Sequence, residues 1–493
     1  MISDYQVGRL ILSSRNTYKT VNKSAKQCNI LSEKMDNILI NTSKEFNVRD
    51  NYVLIDTTKK QIIDNYGLIG VQSDDLNIYH YLYTYFWNSN TKLHKYFKDF
   101  NFEYDIVNKR EIYSNEVITI DPFGSVDLDD GFSLSFNENI INLDIHIADP
   151  MSFFDFDKLS TWNIINELSK RVSTCYIPLN EKIKHLLPEI NIGDKTILEQ
   201  STLIGKNKRA ISFCFIINSE TENIDFTIKK TILENINNTT YEKYDKYINK
   251  DNHYKNKLVK LCNFMIKKMN CNIEFNEIDI SHKLIEVFMI WTNYYSGNYL
   301  YEKKNIMFVR TQDKFIDSKI IIPEYAKTFL NVGAKYEFIE SKRNSEFIHY
   351  SLGIKNYCHV TSPMRRFIDM INHLLLHDIN DKSHIYNNLV KLINSEEINS
   401  RLKTYKKLSN GYDLLTHLNI TNKFKGCVFD KFDNNKVLLV LYDEKNNFKK
   451  IIKTILPIDY DTIKKYDEIN IELFYDPYKF KTKSLPFSIK IIN

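Results

Sequence analysis

The sequence predicts an α+β protein in which a central sheet with helices is flanked by strand-rich segments. In the central part, apolar and polar residues alternate over 132–136 and 141–147, as in strands with one buried face. An apolar stretch that starts at Leu374 is typical of a helix. Alternating apolar residues also occur at 53–55 and 469–473, so strands are expected near both ends of the chain.

Length and composition favour several domains. The chain has 493 residues, 43% of them hydrophobic, which is enough for more than one core. The net charge is only +5, so any surface that binds nucleic acid must be local. Seven cysteines without a CxxC pair argue against a zinc ribbon and favour a reducing compartment.

The sequence also predicts where in the cell the protein is located. No apolar run approaches the length of a membrane span, and the first residues lack the features of a signal peptide, so a cytoplasmic protein is expected. Heavy use of Asn, Ile, Lys and Tyr is typical of an AT-rich genome, such as that of a large DNA virus or of an AT-rich eukaryotic parasite. In that case the location would be the host cytoplasm.

Four carboxylates crowd the segment 119–131. Asp121 ends a strand-like run, and Asp127, Asp129 and Asp130 follow within nine residues. Carboxylates at such spacing raise one another's pKa unless a cation neutralises them. Because hard oxygen ligands suit Mg²⁺ or Mn²⁺, the cluster predicts a metal-assisted reaction.

The expected geometry brings these acids to the rim of a sheet. If a turn at 122–125 follows the first strand, Asp127 and Asp129 point to one face and Asp130 opens the next strand. An EF-hand is disfavoured because Gly131 stands at loop position five, supplies no side-chain ligand and leads into a strand. A solvated acidic loop remains the alternative.

A second polar segment, 357–373, contains Arg365 and Arg366. Ser362 is expected to cap a helix with Pro363 at an early position, which would place both arginines in the first turn. Backbone N–H groups and the helix dipole attract anions there, so a phosphate site is plausible. The alternative is a surface ion pair.

Together the two segments resemble the ribonuclease II family, the 3′-to-5′ exoribonucleases with an RNB domain. The family motifs read TIDPxxxxDLDDA and YxHFTSPIRRYxD, and this chain matches both in order. The resemblance extends over about 105–420. Further similar segments lie at 144–149, 173–178, 186–189, 209–212, 241 and 281–286.

The resemblance implies hydrolysis of single-stranded RNA to nucleoside 5′-monophosphates, with Mg²⁺ or Mn²⁺ as cofactor. It implies that Asp121, Asp127, Asp129 and Asp130 hold the metal, and that Asp129 and Asp130 act in catalysis with Arg365. The RNA-binding residues that it implies are Tyr176, Tyr241, Glu286, Arg366 and Arg209.

The resemblance also implies a domain layout around an RNB catalytic domain at 105–420. A cold-shock or OB-like RNA-binding domain is expected at 1–57, a reduced second OB-like region at 58–104, and an OB-like RNA-binding barrel at 421–493. A monomer is expected, and association with an RNA-processing complex is left open.

Two departures from the family pattern keep other functions open. Val287 and Phe288 follow Glu286 where the family often has a second acid, and the stretch 405–412 lacks the family's Glu-Arg. The chain could therefore be an RNA-binding regulator that has lost nuclease activity. It could also be a structural subunit of an RNA-processing or transcription assembly, for which exposed apolar surface at 79–87 would be the sign.

Overall fold

Three five-stranded sheets organise the part of the chain that the computed structural model describes. Helices of different lengths and two-stranded ribbons lie between them in the chain. The structure describes residues 5–11, 25–31, 37–41, 50–84, 93–313, 322–340, 347–377, 383–456, 463–480 and 485–492, apart from gaps at 94, 99, 108, 180–181, 274, 276–278, 328, 330–332 and 434.

The strands and helices are numbered in chain order. The strands are β1 Tyr5–Leu10, β2 Ala25–Ile30, β3 Asn37–Asn41, β4 Asn51–Asp56, β5 Gln61–Leu68, β6 Glu111–Asp121, β7 Asp130–Asn137, β8 Ile140–Ala148, β9 Cys175–Leu179, β10 Lys182–Lys184, β11 Asn191–Ile192, β12 Lys195–Thr196, β13 Lys208–Asn218, β14 Ile224–Thr240, β15 Met307–Thr311, β16 Lys335–Ile339, β17 Ile348–His349, β18 Ile354–Lys355, β19 Lys423–Lys431, β20 Lys436–Asp443, β21 Phe448–Ile455, β22 Glu468–Tyr475 and β23 Phe487–Ile492. The helices are α1 Gln72–Thr84, α2 Leu159–Arg171, α3 Ile197–Ser201, α4 Tyr241–Ile248, α5 Asn252–Met269, α6 Ile280–Tyr299, α7 Glu324–Lys327, α8 Phe367–Leu376, α9 Ser383–Leu392 and α10 Ser395–His417.

The first sheet is a closed barrel in the order β1-β2-β3-β5-β4. It closes because β1 pairs with both β2 and β4, which is the arrangement of an OB-type barrel. Strand β5 belongs to this barrel, although it falls in the segment 58–104 where we expected a reduced second barrel. The other long element described in that segment is helix α1, so the expectation of a second barrel there is wrong for the described residues.

Helix α1 is packed between other elements. Tyr79, Leu82 and Tyr83 are buried, and α1 contacts both β9 and α10. The exposed apolar surface at 79–87 that would be the sign of a structural subunit is therefore absent from 79–84, while 85–87 lie outside the described residues. This packing brings α1 next to the strand that carries Tyr176.

The second sheet is a closed barrel in the order β13-β14-β6-β7-β8. The alternating segments of the sequence form β7 and β8, which pair antiparallel from Asp130 opposite Ile147 onward. Strand β14 pairs with β6 in parallel and reaches Thr240 opposite Asp121. Helix α6 covers this barrel, with Phe288 packed edge-to-face on Phe132. The predicted central sheet with helices is thus present.

The third sheet has the order β21-β20-β19-β22-β23, with antiparallel pairing throughout. Strands β21 and β23 also contact each other, so the sheet curls into the same strand order as the first barrel. The two flanking sheets touch: Arg9 Nη1 donates to the carbonyl oxygen of Pro477 at 2.9 Å, and Tyr478 Oη donates to Asp50 at 3.1 Å. In the described part of the chain, no helix has the length and apolar character needed to cross a bilayer.

Candidate active site

A pocket of about 520 Å³ opens beside the central barrel. Its size lies in the range of pockets that hold small ligands. It is lined by the end of β6, the loop after it, α6, and the segment 357–366. The two segments that the sequence singled out therefore meet in one place.

The local fold places the four acids on this pocket. Strand β6 ends at Asp121 and β7 begins at Asp130, so the loop between them must reverse the chain. Gly124 has a φ of +86°, a conformation that suits glycine, and it forms part of that turn. Asp121, Asp127, Asp129 and Asp130 all line the pocket.

Asp129 is buried, and each of its two carboxylate oxygens accepts one hydrogen bond. Its Oδ1 accepts the backbone N–H of Met364 at 2.8 Å, and its Oδ2 accepts Nε of Arg365 at 3.2 Å. Burial raises the pKa of Asp129 well above its usual value, and Arg365 and the Met364 N–H oppose that rise. Because both donors point at carboxylate oxygens, the geometry supports the ionised form. Asp129 therefore anchors the arginine segment to the acidic loop.

Arg365 is fixed on one side and open on the other. Its Nη2 donates to Ser362 Oγ at 2.9 Å, yet 42% of its side chain is exposed. Burial acts to lower the pKa of Arg365. The net pKa is nevertheless above the usual value because of the neighbouring acidic groups of Asp129, Tyr176 and Asp130, so the guanidinium stays charged. A fixed, charged and accessible guanidinium is suited to bind a phosphate.

Arg366 is held differently. Its Nη2 donates to Asp369 at 2.8 Å, and the same Asp369 oxygen accepts the N–H of Ser362 at 2.8 Å. Arg366 also lines the pocket. The ion pair with Asp369 therefore shapes the turn that presents Arg365.

The expected start of the helix is wrong. Helix α8 begins at Phe367, with Arg366 extended at φ −130° as the residue before it, so both arginines precede the helix. The Ser362 carbonyl accepts the N–H groups of Arg365 and Arg366 in a separate turn. Ser362 therefore does not cap α8, and a phosphate at this place would meet the arginine side chains instead of the N-terminus of the helix.

Two tyrosines and a glutamate complete the walls of the pocket. Tyr176 lies on β9 and is 44% exposed. Tyr241 opens α4, where Thr240 accepts the N–H of Lys243 as a cap, and its ring stacks on His282 at 3.7 Å. Glu286 on α6 lines the pocket and accepts a hydrogen bond from Lys283 at 2.7 Å.

Arg209 lies outside the pocket, so the structure does not bring it together with the other predicted site residues. Its Nη1 and Nη2 donate to the carbonyl oxygens of Tyr104 and Phe102 at 2.6 and 3.2 Å. Its Nε lies 3.3 Å from Asp105, and its guanidinium covers the ring of Phe153. Arg209 therefore fastens the segment that precedes the central barrel.

Residues without a role assigned from the sequence form the floor of the pocket. Asn293 on α6 donates to Tyr357 Oη at 3.2 Å and accepts the Val360 N–H at 2.8 Å. Tyr336 Oη and His359 Nδ1 lie 2.6 Å apart, and burial lowers the pKa of His359 well below its usual value. A polar asparagine within an apolar helical run was the signal that could have revealed this floor.

Close packing of α6 fixes the floor. A side chain at Gly297 would place its Cβ against the backbone carbonyl of Asn356, at 1.9 Å from the oxygen. Only glycine allows α6 to approach the segment 356–358 this closely. Tyr357 and its neighbours are thereby held against the pocket.

The acid set fits a hard divalent cation by its chemistry. Burial and repulsion from Asp130 and Asp127 raise the pKa of Asp121 to about 7, and burial raises the pKa of Asp130 to about 6. Ionising the whole set therefore calls for added positive charge. Within the described residues, no three potential ligands stand close enough to form a finished metal site, so binding would require the side chains to adjust.

Comparison with known proteins was made with sequence and structure. A family model described as the RNB domain matches residues 109–330 and 324–382. The mitochondrial exoribonuclease II of Saccharomyces cerevisiae is 27% identical over 324 residues, covering 53% of this chain and 33% of that protein. The chain spans about a third to a half of the length of the curated relatives that it matches.

Solved structures show the same fold. The apo form of Mycoplasma genitalium RNase R is similar with a TM-score of 0.67 and 14% identity, over 99% of this chain and 89% of that one. The structure of yeast Ssd1, a pseudonuclease, is similar with a TM-score of 0.57 and 13% identity, over 97% of this chain and 67% of that one.

Proposed function

The chain belongs to the RNB domain family, and on that premise we propose that it is a hydrolytic 3′-to-5′ exoribonuclease. It would degrade single-stranded RNA to nucleoside 5′-monophosphates. One observation carries the proposal: four carboxylates and the accessible guanidinium of Arg365 line a single pocket. Phosphodiester hydrolysis needs that combination of charges.

Each side chain has a distinct task in this reaction. Arg365, held by Asp129, would neutralise the non-bridging oxygens of the scissile phosphate. A divalent cation, Mg²⁺ or Mn²⁺, held by Asp121, Asp127, Asp129 and Asp130 would supply Lewis-acid charge and lower the pKa of the attacking water.

The pocket walls would hold the RNA end. The exposed ring of Tyr176 and the half-buried ring of Tyr241 both line the pocket, where they offer stacking surfaces for bases of any sequence. Glu286 would accept the ribose 2′-OH, a contact that separates RNA from DNA. Arg366, bound to Asp369, would support Arg365 more than it would touch RNA.

A direct test uses purified protein and single-stranded RNA labelled at the 5′ or the 3′ end, with and without Mg²⁺ or Mn²⁺. We expect the 3′ label to leave at once as a nucleoside 5′-monophosphate, while the 5′-labelled strand shortens stepwise. A matched DNA strand is the control and should persist. Inactivity on unstructured RNA across metals and pH would contradict the proposal.

A second candidate is an RNA-binding regulator with weakened or lost nuclease activity. Two observations favour it: the fold is shared with a pseudonuclease, and the stretch 405–412 of α10 lacks the Glu-Arg that the family usually has. The same assay decides between the two. Tight RNA binding without any product would support the regulator.

The domain layout follows as part of the proposal. We place the catalytic domain at 105–420 and an RNA-binding barrel at 421–493, and we extend the first barrel to Leu68 because β5 closes it. The partner would be single-stranded RNA, bound by a monomer in the cytoplasm. Light scattering and cell fractionation would test these last two points.

A further inference from the structure

Asp127 is approached by two side chains on the same oxygen. Tyr176 Oη donates a hydrogen bond to Asp127 Oδ2 at 3.0 Å. His185 Nδ1 lies 3.8 Å from that same oxygen. The stacking role proposed for Tyr176 uses only its ring, and His185 has no role in the reaction described so far. The reaction described so far therefore uses neither of these two contacts with Asp127.

His185 is held in place at an energetic cost. It is 6% exposed, and its buried Nδ1 forms no hydrogen bond within the described part of the chain. A buried polar group without a partner costs about 1–3 kcal/mol. The neighbouring backbone fixes its position, because Leu186 donates its N–H to Thr174 Oγ1 and accepts Nη1 of Arg171, both at 3.0 Å.

Tyr176 is fixed as firmly as His185. Its backbone N–H donates to Tyr405 Oη at 3.0 Å, and the Tyr405 ring packs on Tyr83 at 4.5 Å. The residues on either side, Cys175 and Ile177, are buried. The hydroxyl of Tyr176 is thus held at Asp127 while its ring faces the pocket.

We propose that Tyr176, through its hydroxyl, and His185 are positioning residues that orient the Asp127 carboxylate for a divalent cation. The inference rests on the proposed function and adds a second task to Tyr176. Its ring binds the terminal base, and its hydroxyl steers a metal ligand. Because one side chain does both, occupation of the base site and orientation of Asp127 are linked.

The test compares substitutions that keep or remove the polar contact. Tyr176→Phe keeps the ring and removes the hydroxyl. His185→Asn places an amide N–H near the position of Nδ1, whereas His185→Gln places it near Nε2. The control variants are Tyr247→Phe and His253→Gln, which change exposed residues that do not line the pocket.

Two measurements are made on the full chain. Mn²⁺ binding is followed by electron paramagnetic resonance without RNA, and cleavage is followed at steady state over a series of RNA concentrations, which gives the turnover rate and the KM. Tyr176→Phe and His185→Gln should weaken Mn²⁺ binding about tenfold, the scale for partners of metal ligands. In these two variants the cleavage rate should fall together with Mn²⁺ binding, while the KM for RNA should stay near the wild-type value. His185→Asn should retain Mn²⁺ binding.

The outcomes separate this inference from the proposed function. Wild-type Mn²⁺ affinity in both Tyr176→Phe and His185→Gln would overturn the positioning role, as would equal losses in His185→Asn and His185→Gln. Failure of the wild-type protein to bind Mn²⁺ would also overturn it. A wild-type protein that binds Mn²⁺ but never cleaves RNA would refute the nuclease, while the Mn²⁺ measurements would still decide the role of the two residues.

Discussion

Two neighbouring aspartates should respond differently to the same substitution. The Asp129 carboxylate holds the Met364 N–H at 2.8 Å and Arg365 at 3.2 Å, whereas the Asp130 carboxylate has no hydrogen bond within the described residues. In Asp129→Asn the new NH₂ group must face either the Met364 N–H or Arg365, and a donor facing a donor loses that hydrogen bond. The negative charge opposite Arg365 is also lost. Loss of one charge-assisted hydrogen bond costs about 1.5–3 kcal/mol of folding free energy.

Asp130→Asn should affect the reaction alone. The substitution keeps the shape of the side chain and removes a charge from the pocket, so turnover should fall at least about a hundredfold, the scale for one preorganised electrostatic group. RNA affinity should hold or rise because repulsion of the phosphates decreases. The free energy of unfolding should not fall.

Both variants are compared with wild type by chemical denaturation, RNA binding and single-turnover cleavage. Denaturation reports the stability difference between Asp129→Asn and Asp130→Asn, and the other two assays separate binding from chemistry. The reasoning is refuted if Asp130→Asn cleaves at nearly the wild-type rate. It is also refuted if Asp129→Asn is as stable as Asp130→Asn.

The other predictions concern binding and stability. Tyr176→Ala should lose about 1–3 kcal/mol of base contact and change the length of the last undegraded oligonucleotide, seen on sequencing gels; an unfolded variant would instead make the residue structural. Arg209→Ala should lower the free energy of unfolding by about 1–3 kcal/mol while RNA affinity stays unchanged, and a selective loss of RNA affinity would restore the RNA-binding role. Burial acts to raise the pKa of Asp149, but the neighbouring His377 and Arg110 hold that pKa below its usual value. Asp149 therefore stabilises the fold above its unfolded pKa of about 3.9, and this contribution is lost as pH falls below it. Asp149→Asn should cost about 1.5–3 kcal/mol near neutral pH, because it removes one charge-assisted hydrogen bond of the buried Arg110, which keeps its pair with Asp105 at 2.6 Å. A variant with unchanged acid denaturation would contradict this.

The sequence was most informative where local pattern decides structure. Alternation of apolar residues predicted β7 and β8, and the strands on either side of the acidic loop explain why Asp121 and Asp130 share a pocket. The predicted fold class, an RNB domain flanked by OB-type barrels, is confirmed. The RNA-binding roles of the pocket residues remain predictions.

Contacts between distant segments could not be predicted in this way. Strand β5 has a polar sequence and two register shifts against β4, so only its barrel partners identify it as a strand. In the sequence Arg209 is only a basic residue on a strand, yet the carbonyl oxygens that accept its hydrogen bonds lie more than a hundred positions earlier in the chain. The contact of His185 with Asp127 likewise joins residues more than fifty positions apart and leaves no local signal.

The parallel pairing of β6 with β14 sets the order in which the site can form. Asp121 lies opposite Thr240, while β6 joins β7 through the single pair Ile118 and Phe132. During synthesis, the strand that carries Asp121 therefore waits for β14 to emerge from the ribosome before the barrel can close. Non-local pairing of this kind is slow to form. Arg365 is synthesised later still. The aspartates of the pocket in a nascent chain therefore lack the positive charge of its guanidinium until most of the protein has been made.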